Sequence, residues 1–206
     1  GGRSCVDYLN SEAIACFLER THKTYKRKLE KELFELVEGL FMDETRFYYC
    51  YPWTMKFPRE FENRKGYSIL GNLIKLFGEG VRTREELDYL DVVAQLYKEA
   101  TFWQVYQWCE ENYMLSAAHL LGEETLAAQT RFEIDLMRQY EAMHIPGLDH
   151  LGKGIGSLDA RFVVSAARNY GKNRICCEAF GASGEDTDIE DVIRVSNWLL
   201  KQGVNM

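Results

Sequence analysis

The chain has 206 residues and a formal net charge of -7, with 46% hydrophobic and 13% aromatic residues. This length and apolar content suit a single domain with a sizeable core and exclude a disordered chain. The acidic balance and the absence of a long basic stripe argue against a nucleic-acid-binding protein. No stretch reaches the roughly 18 apolar residues of a membrane span. We therefore expect neither nucleic acid nor membrane as a partner.

The six cysteines are scattered along the chain, without a C-x-x-C pair: Cys5, Cys16, Cys50, Cys109, Cys176 and Cys177. This pattern argues against a disulfide scaffold and against a cysteine zinc site. Several unpaired thiols suit a reducing compartment, and Gly1-Gly2-Arg3 opens no signal-peptide apolar region. We therefore expect a cytoplasmic protein, although an export signal on a longer parent chain would not be visible.

The first predicted elements are a strand, a helix and a second strand. Val6–Leu9 is predicted as the short strand, and the apolar residues from Ile14 to Leu29 then recur at steps of three and four, which predicts a helix. Asn10 or Ser11 can cap its start. Leu40–Asp43 is the next predicted strand.

A long insertion over residues 45–84 follows. Its aromatic residues are Tyr48, Tyr49, Tyr51, Trp53, Phe57, Phe61 and Tyr67. Connections of this length are usually functional loops or small subdomains. We expect most of these rings to pack on the rest of the domain, with Trp53 and Tyr51 as candidates for stacking on a sugar ring.

Helices and strands alternate in the remaining chain. The predicted elements are a helix from Glu85 to Asn112 kinked near Ala100-Thr101, a strand Met114–Leu120, a helix over 125–143, a strand Ile145–His150, a helix from Ser157 to Gly171, a strand Arg174–Cys177, and a helix that begins at a Thr187/Glu190 capping box and ends at Gly203. Residues 204–206 look like the start of another strand.

Four apolar runs end on acidic residues and precede helical patterns: Gly39 to Glu44, Met114 to Glu124, Ile145 to His150 and Arg174 to Glu178. Short apolar runs of this kind predict buried parallel strands in repeated βα units, and function collects at the carboxyl ends of such strands. We therefore predict an α/β fold with a parallel (β/α) barrel. Because five full strands and a partial sixth fall short of eight, the barrel is partial. An open doubly wound sheet is the alternative, but no dinucleotide or P-loop glycine motif opens a helix.

Six segments occur in order: Val6-Asp7-Tyr8-Leu9-Asn10, Gly39-Leu40-Phe41-Met42-Asp43-Glu44, His119-Leu120-Leu121-Gly122-Glu123, Ile145-Pro146-Gly147-Leu148-Asp149-His150, Cys177-Glu178-Ala179-Phe180-Gly181 and Gly203-Val204-Asn205. Together they resemble the catalytic barrel of large bacterial glycoside hydrolases, most closely the α-L-rhamnosidase-like group of family 106. The resemblance implies that residues 1–206 form one barrel segment covering about strands three to eight.

The resemblance also implies a pair of catalytic carboxylates. Glu44 would end strand four and Glu178 strand seven, the positions that carry the acid/base and the second carboxylate in the wider β-galactosidase-like clan. Asp43-Glu44 replaces the Asn-Glu pair common in that clan, which leaves the role of Asp43 open. Glu185 stands where a tryptophan is expected, which puts part of the sugar pocket in doubt. The implied activity is that of a glycosidase with a carbohydrate substrate.

The chemistry of glycoside hydrolysis is consistent with these two glutamates. One carboxylic acid protonates the departing oxygen, and a second carboxylate attacks or activates water. Glu44 and Glu178 lie far apart in sequence, so closure of the sheet must bring them together. The alternative interpretation is that both are surface acids that begin helices.

A second set of strand-end residues could bind sugar hydroxyls: Asp43, His119, Glu123, Asp149, His150 and, from the insertion, Trp53. We expect no cofactor, with calcium held by several of the oxygen ligands as an alternative. Two other functions stay open. One is a non-catalytic carbohydrate-binding or assembly fragment, in which open sheet edges allow self-association. The other is a metal-dependent barrel hydrolase that uses His119, Glu123 and Asp149.

Overall fold

A four-stranded parallel sheet organises the chain. The computed structural model describes residues 6–47, 51–77 and 81–206. The strands are β1 Gly39–Asp43, β2 Leu115–His119, β3 Ile145–His150 and β4 Cys176–Ala179. They lie in the order β1-β2-β3-β4, and each neighbouring pair is parallel. The fold is therefore mixed α/β with a parallel sheet, as the alternation of strands and helices predicts.

Helices connect the strands and cover the sheet. They are α1 Ser11–Arg20, α2 His22–Lys28, α3 Lys31–Glu35, α4 Phe57–Lys65, α5 Arg84–Tyr97, α6 Trp103–Glu111, α7 Leu126–Phe132, α8 Leu136–Gln139, α9 Asp159–Asn169 and α10 Ile189–Gln202. Two 3₁₀ helices span Leu70–Phe77 and Tyr140–Ala142, and a π-helical turn, Lys98–Phe102, joins α5 to α6. That turn lies where a kink is predicted near Ala100-Thr101. No helix among the described residues is long and apolar enough to cross a bilayer.

The predicted strand Val6–Leu9 is wrong. The Leu9 N–H donates to the Asp7 side chain at 3.1 Å, and the Asn10 N–H donates to the Asp7 carbonyl at 3.1 Å. These local hydrogen bonds close a turn, the usual competition that aspartate offers to a strand ladder. Asn10 then caps α1 as predicted, since its side chain accepts from the Glu12 N–H.

Two predicted helices are each divided in the structure. The helix expected from Ile14 to Leu29 breaks at Thr21, whose hydroxyl donates to the Phe17 carbonyl and whose backbone leaves the helical region. The helix expected over 125–143 becomes α7, α8 and the 3₁₀ turn, because Ile134 adopts a left-handed φ of 64°. A β-branched residue with positive φ ends a helix.

The insertion packs on the domain largely as predicted. Phe57 and Phe61 are fully buried on α4, and the Tyr89 hydroxyl of α5 donates to the Pro52 carbonyl at 2.6 Å. The Phe57 and Tyr89 rings lie 5.2 Å apart. The insertion is thus a small helical layer anchored to α5. Tyr48 and Tyr49 lie outside the described residues, as do Cys5 and Cys50.

The caps of the last two helices differ in part from the predictions. Ser157 does not cap α9; its hydroxyl donates to the Asp159 carboxylate instead. The N-cap of α10 is Asp188, which accepts from the Asp191 N–H at 2.8 Å, so the predicted Thr187/Glu190 capping box is wrong.

The helix ends and the tail agree with the sequence patterns. Gly171 and Gly203 are left-handed, with φ of 67° and 114°, as expected of residues that end helices. The tail runs beside the end of the sheet: the Asn205 and Met206 N–H groups donate to the Ile175 carbonyl, and the Cys177 N–H donates to the Met206 carbonyl. Residues 204–206 therefore extend the hydrogen bonding beyond β4.

The centre of the sheet requires glycine. A Cβ on Gly147 of β3 would lie 2.5 Å from the Cys176 Sγ and 2.8 Å from the Ala118 carbonyl oxygen. The first contact is with β4 and the second with the backbone of β2. The three strands therefore approach more closely here than any side chain allows.

We expect Gly147→Ala to lower the free energy of unfolding by about 1–3 kcal/mol, because the added methyl group overpacks a core that cannot shift its backbone. Denaturant unfolding measures the change. The control is Gly71→Ala, since a Cβ at Gly71 meets no atom of the described residues within 4 Å. Equal stability of the two variants would contradict the close approach.

Candidate functional site

Asp43, His119 and Glu178 meet at the carboxyl ends of β1, β2 and β4. The His119 Nε2 lies 2.8 Å from the Glu178 Oε2 and 3.5 Å from the Asp43 Oδ1. The sequence predicts each of these residues at a strand end, and the structure brings the three together. We refer to them as the strand-end cluster.

The register of the strands explains this convergence. Asp43 pairs with His119 across β1 and β2, and Asp149 pairs with Glu178 across β3 and β4. Because neighbouring strands lie about 4.8 Å apart, β2 and β4 are about 10 Å apart in a flat sheet. The contact between His119 and Glu178 spans β3 and requires both side chains to lean toward each other. A sheet that curves toward this face allows it.

Burial differs sharply within the strand-end cluster. The His119 side chain is 2% exposed, whereas Asp43 and Glu178 are 77% and 53% exposed. The Phe41 ring lies 5.1 Å from the imidazole, edge to face, and the buried Nδ1 has no hydrogen-bond partner among the described residues. Nε2 is thus the nitrogen aimed at the carboxylates, where a proton on it can be donated to Glu178.

Asp149 lies between His119 and Glu178 on the intervening strand. Burial raises the pKa of its carboxyl group, and the negative charges of Glu178, Glu44 and Glu124 raise that pKa further, while His119 lowers it. Within the part of the chain that the structure describes, its Oδ1 is buried without a hydrogen-bond partner. A carboxyl group in this environment holds its proton to a higher pH than an ordinary aspartate, as a general acid must.

Glu123 is buried beside the ends of β2 and β3. Its Oε1 accepts from the Leu120 N–H at 3.0 Å and from the Tyr140 hydroxyl at 2.9 Å, and its Oε2 accepts from the Asp149 N–H at 2.7 Å. Both oxygens therefore serve the protein's own donors. Although the sequence suggests sugar binding, the side chain connects the end of β2 to the end of β3.

Desolvation raises the pKa of Glu123 to about 8, against the lowering effect of its three hydrogen-bond donors. Glu133 is buried beside it, accepts from the Leu121 N–H at 3.2 Å, and has a pKa raised well above the ordinary value, chiefly by burial. The Glu123 charge contributes to that shift. Two interacting buried acids thus lie next to the end of β2.

Glu44 follows β1 directly and has a left-handed φ of 43°. A non-glycine residue in this conformation is uncommon and clusters at functional sites. Its carboxylate lies 3.7 Å from the Arg46 guanidinium, and both side chains are partly buried. Glu44 also lies near enough to Asp149 to raise the pKa of that residue.

His150 ends β3 but is engaged on both sides of its ring. Nδ1 lies 2.8 Å from the Asp159 Oδ2, and Nε2 lies 2.9 Å from the Gly154 carbonyl oxygen. The side chain is 7% exposed and packs on the Trp198 indole at 4.9 Å. Neither nitrogen is left for a sugar hydroxyl in this arrangement, contrary to the role expected from the sequence.

Trp53 lies on the insertion, at the side of α4. Its ring is 4.7 Å from Phe57, and the residue is 40% exposed. One face of the indole is therefore partly covered while the other part stays accessible, which is compatible with both packing and stacking.

The strand-end cluster also has the donors for a metal ion. One ligand atom from each of Asp43, His119 and Glu178 lies within 4.8 Å of the others. Among the described residues this set differs from the His119, Glu123 and Asp149 set predicted from the sequence, because both oxygens of Glu123 accept from donors of the protein. One nitrogen and two carboxylates suit zinc better than calcium, which prefers six to eight oxygen ligands.

Sequence reasoning missed Asp159, Tyr140 and Glu133. Asp159 begins α9 and resembles an ordinary first-turn acid, yet it is 2% exposed and holds His150. Tyr140 and Glu133 occur in a stretch predicted as one continuous helix. A helical pattern gives no sign that the Tyr140 hydroxyl donates to a glutamate.

These features define an α/β protein of repeated βα units with an acidic cleft at the carboxyl edge of its parallel sheet. A family model described as alpha-L-rhamnosidase, glycoside hydrolase family 106, matches residues 3–206. The chain belongs to this family. No curated protein matches the chain.

Among solved structures, the chain is similar to the rhamnosidase from Novosphingobium sp. PP1Y. The TM-score is 0.78 at 20% sequence identity, over 96% of this chain and 20% of that one. At this identity the match establishes a shared fold. The chain spans one fifth of the length of that rhamnosidase.

The buried acids predict a pH dependence of stability. Glutamate titrates near ~4.3 in an unfolded chain, and the pKa of Glu123 is raised to about 8 in the folded protein. The folded state therefore keeps a proton that the unfolded state has lost. The resulting stabilisation is complete below pH ~4.3 and is lost as the pH rises toward 8.

We expect the free energy of unfolding to fall by about 1.4 kcal/mol per pH unit for each such proton across this window. Glu123→Gln should reduce the slope by one proton, as measured by denaturant unfolding at pH 5, 6, 7 and 8. The neighbouring exposed acid provides the control, Glu124→Gln. An unchanged slope in Glu123→Gln would contradict the raised pKa.

Proposed function

We propose that the chain is part of a glycoside hydrolase that removes a terminal L-rhamnose, with Glu178 and Glu44 as its carboxylate pair. The observation that carries the proposal is the strand-end cluster, in which an exposed carboxylate accepts from a buried histidine at 2.8 Å. Membership in the alpha-L-rhamnosidase family supplies the substrate class.

Glu178 is suited to the role of base or nucleophile. The Nε2–H of His119 donates to Oε2, a contact that fixes the orientation of the carboxylate. Half of the side chain stays exposed, so Oε1 can face a water molecule or the sugar. A buried histidine beneath an accessible carboxylate thus orients it without blocking it.

Glu44 is proposed as the acid that protonates the departing oxygen. Two observations support this role: Glu44 directly follows β1 at the same edge of the sheet as Glu178, and its charge raises the pKa of Asp149. Asp149 competes for this role, because its pKa is raised and it lies between the two glutamates. Leaving-group dependence distinguishes the two candidates.

The remaining cleft residues are proposed to bind the sugar. Asp43 is exposed beside His119 and can accept from sugar hydroxyls. Trp53 offers an accessible indole edge for stacking. His119, Glu123 and His150 are assigned to positioning the strand ends, since each is buried and bonded within the protein.

We also propose that the sheet is a segment of a (β/α) barrel. Within the described residues, β1 has no strand on its outer edge, and Phe41 is 52% exposed there. A cavity of about 340 Å³ lies along this edge, lined by apolar residues that include Phe41 and Phe17, and by Asp43. A further parallel strand would cover it and would place its own carboxyl end beside Asp43.

For the complete protein, we expect Glu178→Gln to lower kcat for an aryl α-L-rhamnoside by about 10²–10⁴-fold with little change in folding, since the swap keeps the shape and removes the charge. Glu190→Gln, an exposed acid on α10, is the control. Wild-type activity in Glu178→Gln would remove Glu178 from the mechanism.

Glu44→Gln should slow substrates with poor leaving groups far more than activated aryl glycosides, because an acid matters less when the departing phenol is already stable. The same comparison on Asp149→Asn tests the competing assignment. A leaving-group effect in Asp149→Asn alone would transfer the acid role to Asp149.

A divalent cation at the strand-end cluster is a separate proposal. It would be held by Asp43, His119 and Glu178 and would reduce the repulsion between the two carboxylates. Because a nitrogen is among the donors, we expect calorimetric titration to show tighter binding of zinc than of calcium. Asp43→Asn should weaken that binding. If neither ion binds, the proposal of a divalent cation at the strand-end cluster is wrong.

A further inference from the structure

We propose that His150 is a positioning residue, which as an imidazolium holds the loop after β3 against the turn that presents Glu178. The inference rests on the proposed role of Glu178. It assigns His150 no contact with the substrate. Instead, the histidine acts through residues 151–156, which we call the β3 loop.

The hydrogen-bond partners of His150 determine its charge. The Gly154 carbonyl oxygen is only an acceptor, so Nε2 must donate to it. The Asp159 Oδ1 already accepts from the Ser157 hydroxyl and the Ala160 N–H, and its Oδ2 faces Nδ1. Because both ring nitrogens face acceptors, both hydrogen bonds form only when both nitrogens carry protons.

Other groups around the ring agree with this assignment. The Asp159 hydrogen bond raises the pKa of His150 and outweighs the effect of burial, and the Asp149 charge raises it further. The His150 hydrogen bond contributes in turn to a lowered pKa of Asp159. From α10 the ring meets the uncharged Trp198 indole. From β4, the Cys177 thiol interacts with Asp159, and burial raises its pKa to about 12, so it stays neutral.

The β3 loop is tied to the turn after β4. The Gly152 N–H donates to the Gly181 carbonyl at 2.7 Å. A Cβ on Gly181 would lie 2.5 Å from the Leu151 Cδ2, so the leucine packs directly on the glycine. The same Cβ position is 4.0 Å from the Glu178 Oε1. The loop, the turn and the proposed catalytic carboxylate are therefore in one contact network.

The turn needs such support because its backbone is strained. Phe180 and Ala182 have left-handed φ values of 69° and 56° on either side of Gly181. Non-glycine residues persist in this region only when their surroundings hold them there. The β3 loop supplies one restraint, and its own position depends on the His150 hydrogen bond to Gly154.

Salt bridges anchor the outer side of the β3 loop independently of pH near neutrality. Lys153 lies 3.2 Å from both Asp186 and Asp191, and the Arg194 guanidinium donates to the Lys153 carbonyl at 3.0 Å. These contacts hold the middle of the loop from α10 and from Asp186, which precedes that helix. Deprotonation of His150 therefore frees the inner side, next to Gly152 and Gly181, rather than the entire segment.

The sign of the pH dependence follows from the raised pKa of His150. The stabilisation of the loop is complete below the ordinary histidine pKa of about 6.5 and is lost as the pH rises through the folded-state pKa. At the acid end the lowered pKa of Asp159 sets the limit, because the pair breaks as the pH falls through it.

The test combines NMR titration of the His150 ring with amide hydrogen exchange at Gly152, between pH 5 and 9.5. We expect His150 to titrate above its ordinary pKa. As it loses its proton, exchange at Gly152 should accelerate beyond the intrinsic effect of pH, because the restraint on the inner side of the β3 loop is lost. Asp159→Asn should move both transitions to lower pH, and Glu190→Gln should leave both in place.

A second pair of variants tests the contact network without altering a charge. Gly181→Ala should push the Leu151 side chain away and accelerate exchange at Gly152, while Leu151→Ala in the same chain should reverse the effect by removing the obstacle. An ordinary pKa for His150, or Gly152 exchange that ignores both Asp159→Asn and Gly181→Ala, would overturn the proposal.

The activity measurement separates this proposal from the proposed function. In an active enzyme, kcat/KM should fall as the pH rises through the range in which His150 loses its proton. Asp159→Asn should shift this alkaline fall in kcat/KM to lower pH. An inactive protein in which Gly152 exchange still follows His150 would refute the glycosidase proposal alone. An active enzyme whose alkaline fall in kcat/KM is unchanged by Asp159→Asn would refute the positioning role alone.

Discussion

The cleft depends on one buried carboxyl group, that of Glu123. Where two parallel strands end, their next backbone N–H groups have lost their ladder partners and must find others. Glu123 accepts from one such group after β2, at Leu120, and from another near the end of β3, at Asp149. The Tyr140 hydroxyl completes the arrangement. This contact places His119 and Asp149 at adjacent positions above the sheet, and the cost of burying the acid appears as its raised pKa.

With the strand ends placed, the cleft has a graded polarity. Buried His119 lies at its base, Asp149 is half-buried beside it, and the Asp43 and Glu178 carboxylates are exposed at its rim. Burial raises the pKa of the Asp149 carboxyl group, and the negative charge of Glu178 raises it further. One sheet edge thus holds a carboxyl group with a raised pKa beside exposed carboxylates, and such a difference in environment separates the acid from the base in catalysis.

The sequence predicted the sheet better than the contacts made at its edge. Apolar runs ending on acids identified all four strands, because burial and strand termination leave a local pattern. Val6–Leu9 was wrong because a single aspartate side chain replaced the strand ladder with a turn. The contact between His119 and Glu178 joins residues on non-neighbouring strands, and no local pattern encodes it. Asp159 was missed because an acid in the first turn of a helix has an ordinary explanation in the helix dipole.

His119 and His150 show why position in the sequence does not determine the role of a histidine. Each ends a parallel strand of the same sheet, and each is almost fully buried. His150 meets an acceptor at both nitrogens, which favours its charged form and holds the ring in one orientation. Among the described residues, His119 meets acceptors only at Nε2, both of them accessible carboxylates, while Nδ1 has none. One ring of the same sheet therefore faces accessible carboxylates at the strand-end cluster, whereas the other is bonded on both sides to Asp159 and the β3 loop.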